Sequence, residues 1–138
     1  IDVVRRPQVA VLSTGDELLR PGESLHPGKI YDANTSSLAS MVREIGGEPQ
    51  VLKIAGDTIE EVTARVHEGL RNADLLVTSA GVSRGDFDVV KDVLAQEGEI
   101  GFWTVRMRPG KPLAFGTFTV ADNSDETAQR VALKSAGH

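Results

Sequence analysis

Leu75-Leu76-Val77-Thr78-Ser79-Ala80-Gly81-Val82-Ser83-Arg84-Gly85-Asp86-Phe87-Asp88-Val89-Val90 runs from a short apolar stretch, through small and polar residues, into a helix-like pattern continued by Val93 and Leu94. A buried strand opens here into a turn, and the turn feeds a helix N-terminus. Gly81 and Gly85 let backbone N–H groups approach a ligand closely, while Ser79 and Ser83 add hydroxyl donors. Such turns bind anions, because the first helical N–H groups lack partners and the macrodipole is positive there. Two carboxylates, Asp86 and Asp88, share the turn. An anion site that also carries acids points to a bound cation or a proton-transfer step, with phosphate plus metal as the first reading.

Outward from this turn, strand-like and helix-like segments alternate. Gln8 to Ser13 is nearly all apolar, as in a strand covered on both faces. Residues 14–33 are rich in Gly, Pro and polar groups and read as a long loop. Leu38, Met41, Val42 and Ile45 fall on one helix face, with Asn34 or Thr35 as N-cap and Gly46-Gly47 as the stop. Val51 to Ile54 reads as a second strand. Asp57 or Thr58 caps a helix whose Ile59, Val62, Val66 and Leu70 face inward. Asp74 to Ser79 is the third strand, and the helix after Asp88 ends near Gly98. Ile100 to Met107 alternates less cleanly, and Leu113 to Phe118 is a further strand, the two forming an antiparallel hairpin around Pro109-Gly110. Ser124, followed by Asp125-Glu126, caps a short helix through Lys134 that Gly137 ends. The alternation predicts an α/β fold: one three-layer α/β/α domain with a mostly parallel sheet. In such sheets ligands bind outside the carboxyl ends of the strands, so the loops after Ser13 and Ser79 should share one rim.

The 138 residues suit one domain with a sizeable core, and 40% hydrophobic with 25% charged residues is ordinary for a soluble globular protein. A net charge of −5 with few aromatics argues against a nucleic-acid surface. No cysteine is present, so disulfides and thiolate metal sites are excluded. No apolar run approaches the ~18 residues of a membrane span, and no signal-peptide pattern opens the chain; a cytoplasmic protein is the expectation.

Three further constellations carry chemistry. Ser13-Thr14-Gly15-Asp16-Glu17-Leu18 sets a hydroxyl, a glycine and two acids directly after a strand, where the plain alternative is a surface turn with capping acids. Gly28-Lys29-Ile30-Tyr31-Asp32-Ala33-Asn34 ends at a helix start, and Asp32 and Asn34 are equally suited to capping it. Arg106-Met107-Arg108-Pro109-Gly110-Lys111-Pro112 is a basic, proline-locked turn. Arg108 and Lys111 suit a phosphate, and the alternative is a solvated turn. Each is ordinary alone, and together they are not.

In this order, Thr-Gly-Asp-Glu-Leu, Ile-Tyr-Asp-Ala-Asn, Gly-Val-Ser-Arg-Gly-Asp-Phe-Asp and Arg-Pro-Gly-Lys-Pro-Leu-Ala-Phe-Gly resemble the molybdopterin-binding domain of molybdopterin molybdenumtransferases, the MoeA or gephyrin E-domain type. The resemblance runs from about Gln8 to Phe118. The sister adenylyltransferase and competence-associated domains match the Gly-Asp-Glu-Leu and Pro-Gly-Lys-Pro loops less well. Ala80 departs from the family's usual second glycine, and the stretch from Thr119 to His138 lacks the family's Gly-Leu-Pro-Gly-Asn-Pro loop.

The resemblance implies an enzyme that inserts molybdate into adenylylated molybdopterin, with loss of the adenylate and help from Mg²⁺. It implies catalytic roles for Glu17, Asp88 and Lys111, and metal binding by Glu17, Asp86 and Asp88. Substrate contacts would come from Thr14, Gly15, Asp32, Asn34, Ser79, Gly81, Val82, Ser83, Gly85, Arg108, Pro109 and Gly110. It further implies a domain of a larger multidomain homodimer, working after an adenylyltransferase, with no nucleic-acid or membrane partner. The isolated domain is expected to bind even where turnover is lost. The alternatives are a non-catalytic module that holds molybdopterin or a peptide, as gephyrin-type domains do, and the adenylyltransferase activity of the sister branch.

Overall fold

Val9, Ala10, Val11 and Leu12 are all buried, as an apolar run covered on both faces requires. The computed structural model describes residues 3–81, 89–104, 106, 112–121 and 127–137. Within them the elements are β1 (Gln8–Thr14), β2 (Leu18–Leu19), β3 (Ile30–Tyr31), α1 (Ala33–Glu44), β4 (Glu48–Val51), α2 (Ile59–Asn72), β5 (Leu75–Gly81), α3 (Val89–Glu97), β6 (Glu99–Thr104), β7 (Pro112–Ala121) and β8 (Thr127–Gly137). Val82, Ser83, Gly85, Asp86 and Asp88 of the glycine turn, and Arg108, Pro109, Gly110 and Lys111 of the basic turn, lie outside the described residues.

The main sheet has the order β4-β1-β5-β8-β7-β6. The β4–β1, β1–β5 and β5–β8 pairs are parallel, and β7 runs antiparallel to both β8 and β6. The three-layer, mostly parallel reading therefore holds, and the antiparallel pair β6–β7 brackets Pro109-Gly110 as expected. Alternation along the strands divides the core between the faces. Ala10, Leu12 and Leu76 pack with Val62, Val66 and Leu70 of α2 and with Val90, Val93 and Leu94 of α3. On the other face Val9 and Val77 meet Val42 of α1.

Several boundaries differ from the sequence reading. The second strand is Glu48–Val51, not Val51 to Ile54. Pro49, which argues locally against a strand, is tolerated because β4 is an edge. Residues 14–33 are not wholly loop, since β2 and β3 pair in parallel as a small second sheet. Asp32, not Asn34 or Thr35, is the N-cap of α1, and Thr58 caps α2. Ile59, read as facing inward, is 54% exposed, whereas Val62, Val66 and Leu70 of the same helix are buried. Met41 and Ile45 are likewise exposed, and the buried residues of α1 are Ala39 and Val42.

The largest correction concerns the end of the chain. Residues 127–137 form strand β8, not a helix capped at Ser124. Capping signals are local, whereas β8 is held by ladders on both edges, Leu75↔Val131 through Gly81↔Gly137 on one side and Leu113↔Ser135 through Ala121↔Thr127 on the other. A strand in mid-sheet satisfies its backbone groups through partners far away in sequence, and no local pattern reports that.

Candidate functional site at the carboxyl rim

Register decides which loops share an edge of the sheet. Thr14 pairs with Ala80, so the chain leaves β1 and β5 side by side. Ser13 pairs with Ser79, Ser79 with Ser135, Ser135 with Leu113, and Pro112 with Thr104. The carboxyl ends of β1, β5, β8 and β6 and the beginning of β7 therefore lie along one rim. Gly15 follows β1 at this rim, where β5 ends at Gly81, β6 ends at Thr104 and β7 begins at Pro112. From β1 to β7 is three strand spacings, roughly 14 Å, a span suited to an extended ligand.

At the β1 end, Gly15 has φ +144°, a conformation that L side chains rarely adopt. Its amide donates to the Ala55 carbonyl at 3.0 Å, and its carbonyl accepts from Leu18 N–H at 3.1 Å. The Glu17 carboxylate folds over it, with Cδ 2.8 Å from where a β-carbon on Gly15 would stand. Glu17 is half-buried, and its carboxylate has no hydrogen-bond partner among the described residues. The neighbouring acids are engaged with backbone. Asp16 and Asp57 each accept from the other's amide at 3.2 Å, and Glu61 accepts from Gly56 N–H at 2.7 Å. Lys29 Nζ donates to the Asp16 carbonyl, and Ile30 N–H to the Glu17 carbonyl at 2.9 Å, tying the turn to β3. Among the described residues no three acids or histidines are grouped to hold a metal.

Beneath the rim lies a chain of polar groups, buried except for half-buried Thr35. Asp32, 5% exposed, accepts from Thr35 N–H at 3.0 Å and from the Thr35 hydroxyl at 2.5 Å. Thr35 Oγ1 is 2.7 Å from Ser13 Oγ, which is 2.9 Å from Ser79 Oγ. Capping is thus a true account of Asp32 and an incomplete one. Asn34 is exposed in the first turn of α1, and Thr14 is buried at the end of β1. Ser13 and Thr35 were not among the expected site residues. The available signal was a serine closing each of two apolar strands.

Beside this chain, over the end of β4, is a cavity of about 580 Å³. Arg20 and Arg43 stand on its walls, Thr35, Ser36 and Ser40 supply hydroxyls, and Ala39 and Leu52 supply apolar surface. The Arg20 amide donates to the Glu23 carboxylate at 2.9 Å, and among the described residues neither guanidinium forms an ion pair.

Known proteins resemble this chain in sequence and fold. Residues 10–133 match the family described as "Probable molybdopterin binding domain". The molybdopterin molybdenumtransferase of Nostoc sp. is 43% identical over 119 residues, covering 86% of this chain and 27% of the relative. Gephyrin of Dictyostelium discoideum is 35% identical over 125 residues, covering 82% of this chain and 17% of that protein. The solved molybdopterin biosynthesis moeA protein from Pyrococcus horikosii superposes with a TM-score of 0.77 at 31% identity, over 94% of this chain and 30% of that one. The fold alone is shared with MoaB from Pyrococcus furiosus, at 16% identity and a TM-score of 0.69 over 99% of this chain and 85% of that one. The chain thus spans less than a third of the length of the molybdenumtransferase it matches. With four ordered motifs and 124 matched positions (10–133) behind it, the chain belongs to the molybdopterin-binding domain family.

Proposed function

We propose that this domain binds adenylylated molybdopterin along the carboxyl rim and serves molybdate insertion into its dithiolene. The observation that supports this most directly is the register that brings the strand ends next to the three family-matched motifs, those of β1, β5 and β6 and the start of β7, to one edge of the sheet. In this reading the glycine turn, Gly81, Val82, Ser83 and Gly85, receives the phosphate or the pterin. Arg108, Pro109, Gly110 and Lys111 neutralise phosphate or molybdate, with Lys111 close to the reacting oxygens. Thr14, Gly15, Asp32, Asn34 and Ser79 line the near end.

Mg²⁺ fits what Glu17 offers: a half-buried carboxylate at the rim with no described hydrogen-bond partner. Mg²⁺ commonly takes one or two carboxylates and completes its octahedron with water and substrate phosphate. Asp86 and Asp88 would supply further oxygens, and Asp88 or Glu17 would move a proton as molybdate loses oxygen. The bound ion would offset the mutual repulsion of these acids and polarise the phosphate.

We further place the domain in a larger cytoplasmic homodimer that receives its substrate from an adenylyltransferase. Among the described residues no helix is long and apolar enough to cross a membrane.

Isothermal titration with molybdopterin, adenylylated molybdopterin and molybdate, each with and without Mg²⁺, tests this. Adenylylated molybdopterin should bind, and more tightly with Mg²⁺. Equal Mg²⁺ affinity with and without that substrate would remove the metal from the site. Binding of the pterins without molybdate insertion by the full-length protein would favour a non-catalytic module.

A further inference from the structure

Ser79, Ser13, Thr35 and Asp32 come from β5, β1 and α1 and form one uninterrupted line of hydrogen bonds. Its direction follows from proton counting. A carboxylate only accepts, and each hydroxyl has a single proton. The Thr35 hydroxyl donates to Asp32 Oδ2, so it meets Ser13 as an acceptor and the proton in that 2.7 Å contact belongs to Ser13. Ser13 then has none left for Ser79, so the proton in the 2.9 Å contact belongs to Ser79. Ser13 is 2% exposed and Ser79 7% exposed, so bulk water is not at hand at that end of the line and the low local dielectric strengthens their bond, while half-buried Thr35 is held by its two bonds to Asp32. The acid at one end sets the polarity of the hydroxyl at the other.

We propose that Ser79 meets the ligand as an acceptor only and favours an N–H or amino group over a phosphate oxygen, with Asp32, Thr35 and Ser13 as positioning residues that turn its proton inward. The inference rests on the molybdopterin reading in one respect: it assigns the pterin ring edge, with its N–H and amino donors, to the β1–β5 end of the rim. An ionised phosphate oxygen also only accepts, so it finds lone pair facing lone pair at Ser79. The phosphate is thereby directed to backbone amides and to the basic turn. This reverses the donor role that the sequence alone assigns to Ser79.

Neutron diffraction from deuterated crystals reads the polarity without any ligand. The deuteron on Ser79 Oγ should lie on the line to Ser13 Oγ, and a deuteron turned away from Ser13 would overturn the proposal. Asp32→Asn supplies the functional arm. Asparagine still caps the helix, but its amide donates to Thr35 and reverses the line, so that Ser79 offers a proton to the site. Molybdopterin affinity by isothermal titration should fall about tenfold in Asp32→Asn and in Ser79→Ala, while affinity for inorganic phosphate should not fall. Thr35→Val, which breaks the line without touching the cap oxygen, should weaken molybdopterin, and Thr35→Ser should restore most of the loss. Unchanged molybdopterin binding in Asp32→Asn and Ser79→Ala, or weakened phosphate in its place, would sink the assignment. A wild-type protein that binds no molybdopterin would refute the molybdopterin reading, and the neutron map would still decide the polarity.

Discussion

Thr78 shows how one atom can run against its surroundings. It is fully buried in β5, and its Oγ1 has no hydrogen-bond partner among the described residues. A hydroxyl desolvated without compensation is unfavourable, and a methyl of similar shape removes the penalty. Thr78→Val should therefore stabilise the domain by about 1 kcal/mol, read as a higher urea midpoint with an unchanged slope. Gly69 poses the opposite case. A β-carbon there would stand 2.9 Å from Leu76 Cδ1, 3.1 Å from Leu52 Cδ1 and 3.2 Å from Ala10 Cβ. The leucine ends can give way, but Ala10 sits on β1 and cannot. Alanine gains about 1 kcal/mol of helix propensity against roughly 1–3 kcal/mol of overpacking. The expected outcome of Gly69→Ala is net destabilisation, checked by the same urea titration.

At the scale of the element, α1 is closed at both ends by identifiable chemistry. Its C-terminus is a Schellman motif: Gly46 at φ +91°, with Gly47 N–H donating to Val42 O at 2.9 Å and Gly46 N–H to Arg43 O at 3.0 Å. Nothing lies within 4 Å of a β-carbon on Gly46, so its replacement meets only conformational strain. Gly46→Ala should cost about 1 kcal/mol. The N-terminus is more demanding. Asp32 satisfies a helix amide and the line of hydroxyls together, whereas the Thr58 cap of α2 is exposed and its hydroxyl, among the described residues, accepts from Glu61 N–H alone, at 3.3 Å. Removing a cap costs about 1 kcal/mol on average, and unpartnered buried hydroxyls add to it. Asp32→Ala should thus destabilise clearly more than Thr58→Ala, a ranking that thermal unfolding of the two variants will test.

For the whole molecule, the position of β8 matters most. It joins the parallel half of the sheet to the β6–β7 pair, so the rim is continuous only because β8 is there. Pro49 is accommodated at the β4 edge, where a missing N–H faces no partner strand. Ala132 lies between Leu76 of β5 and Gly116 of β7. Ala132→Pro should remove a ladder bond in mid-sheet and cost on the order of 3 kcal/mol or more, seen as lost cooperativity in unfolding and lost amide protection in β5 and β7. A stable Ala132→Pro variant would show that the domain does not depend on β8 in the middle of its sheet.

What the sequence determined by itself is whatever its neighbouring residues settle among themselves. Val62, Val66 and Leu70 mark the buried face of α2 because helical periodicity is a local geometric fact, and the run from Val9 to Leu12 marks a doubly covered strand for the same kind of reason. The four ordered motifs were legible too, since each is a short stretch, and they carried the family. Tertiary structure alone decided the rest. β8 resembles a capped helix until β5 and β7 are beside it, because a central strand draws its stability from both neighbours. Ser13 and Ser79 are 66 positions apart, and Thr35 a further element away, so only the β1–β5 register and the packing of α1 bring their hydroxyls within hydrogen-bonding range. The direction of that line, and with it what Ser79 can offer a ligand, depends on Asp32, whose link to Ser79 through Thr35 and Ser13 no local stretch of sequence shows.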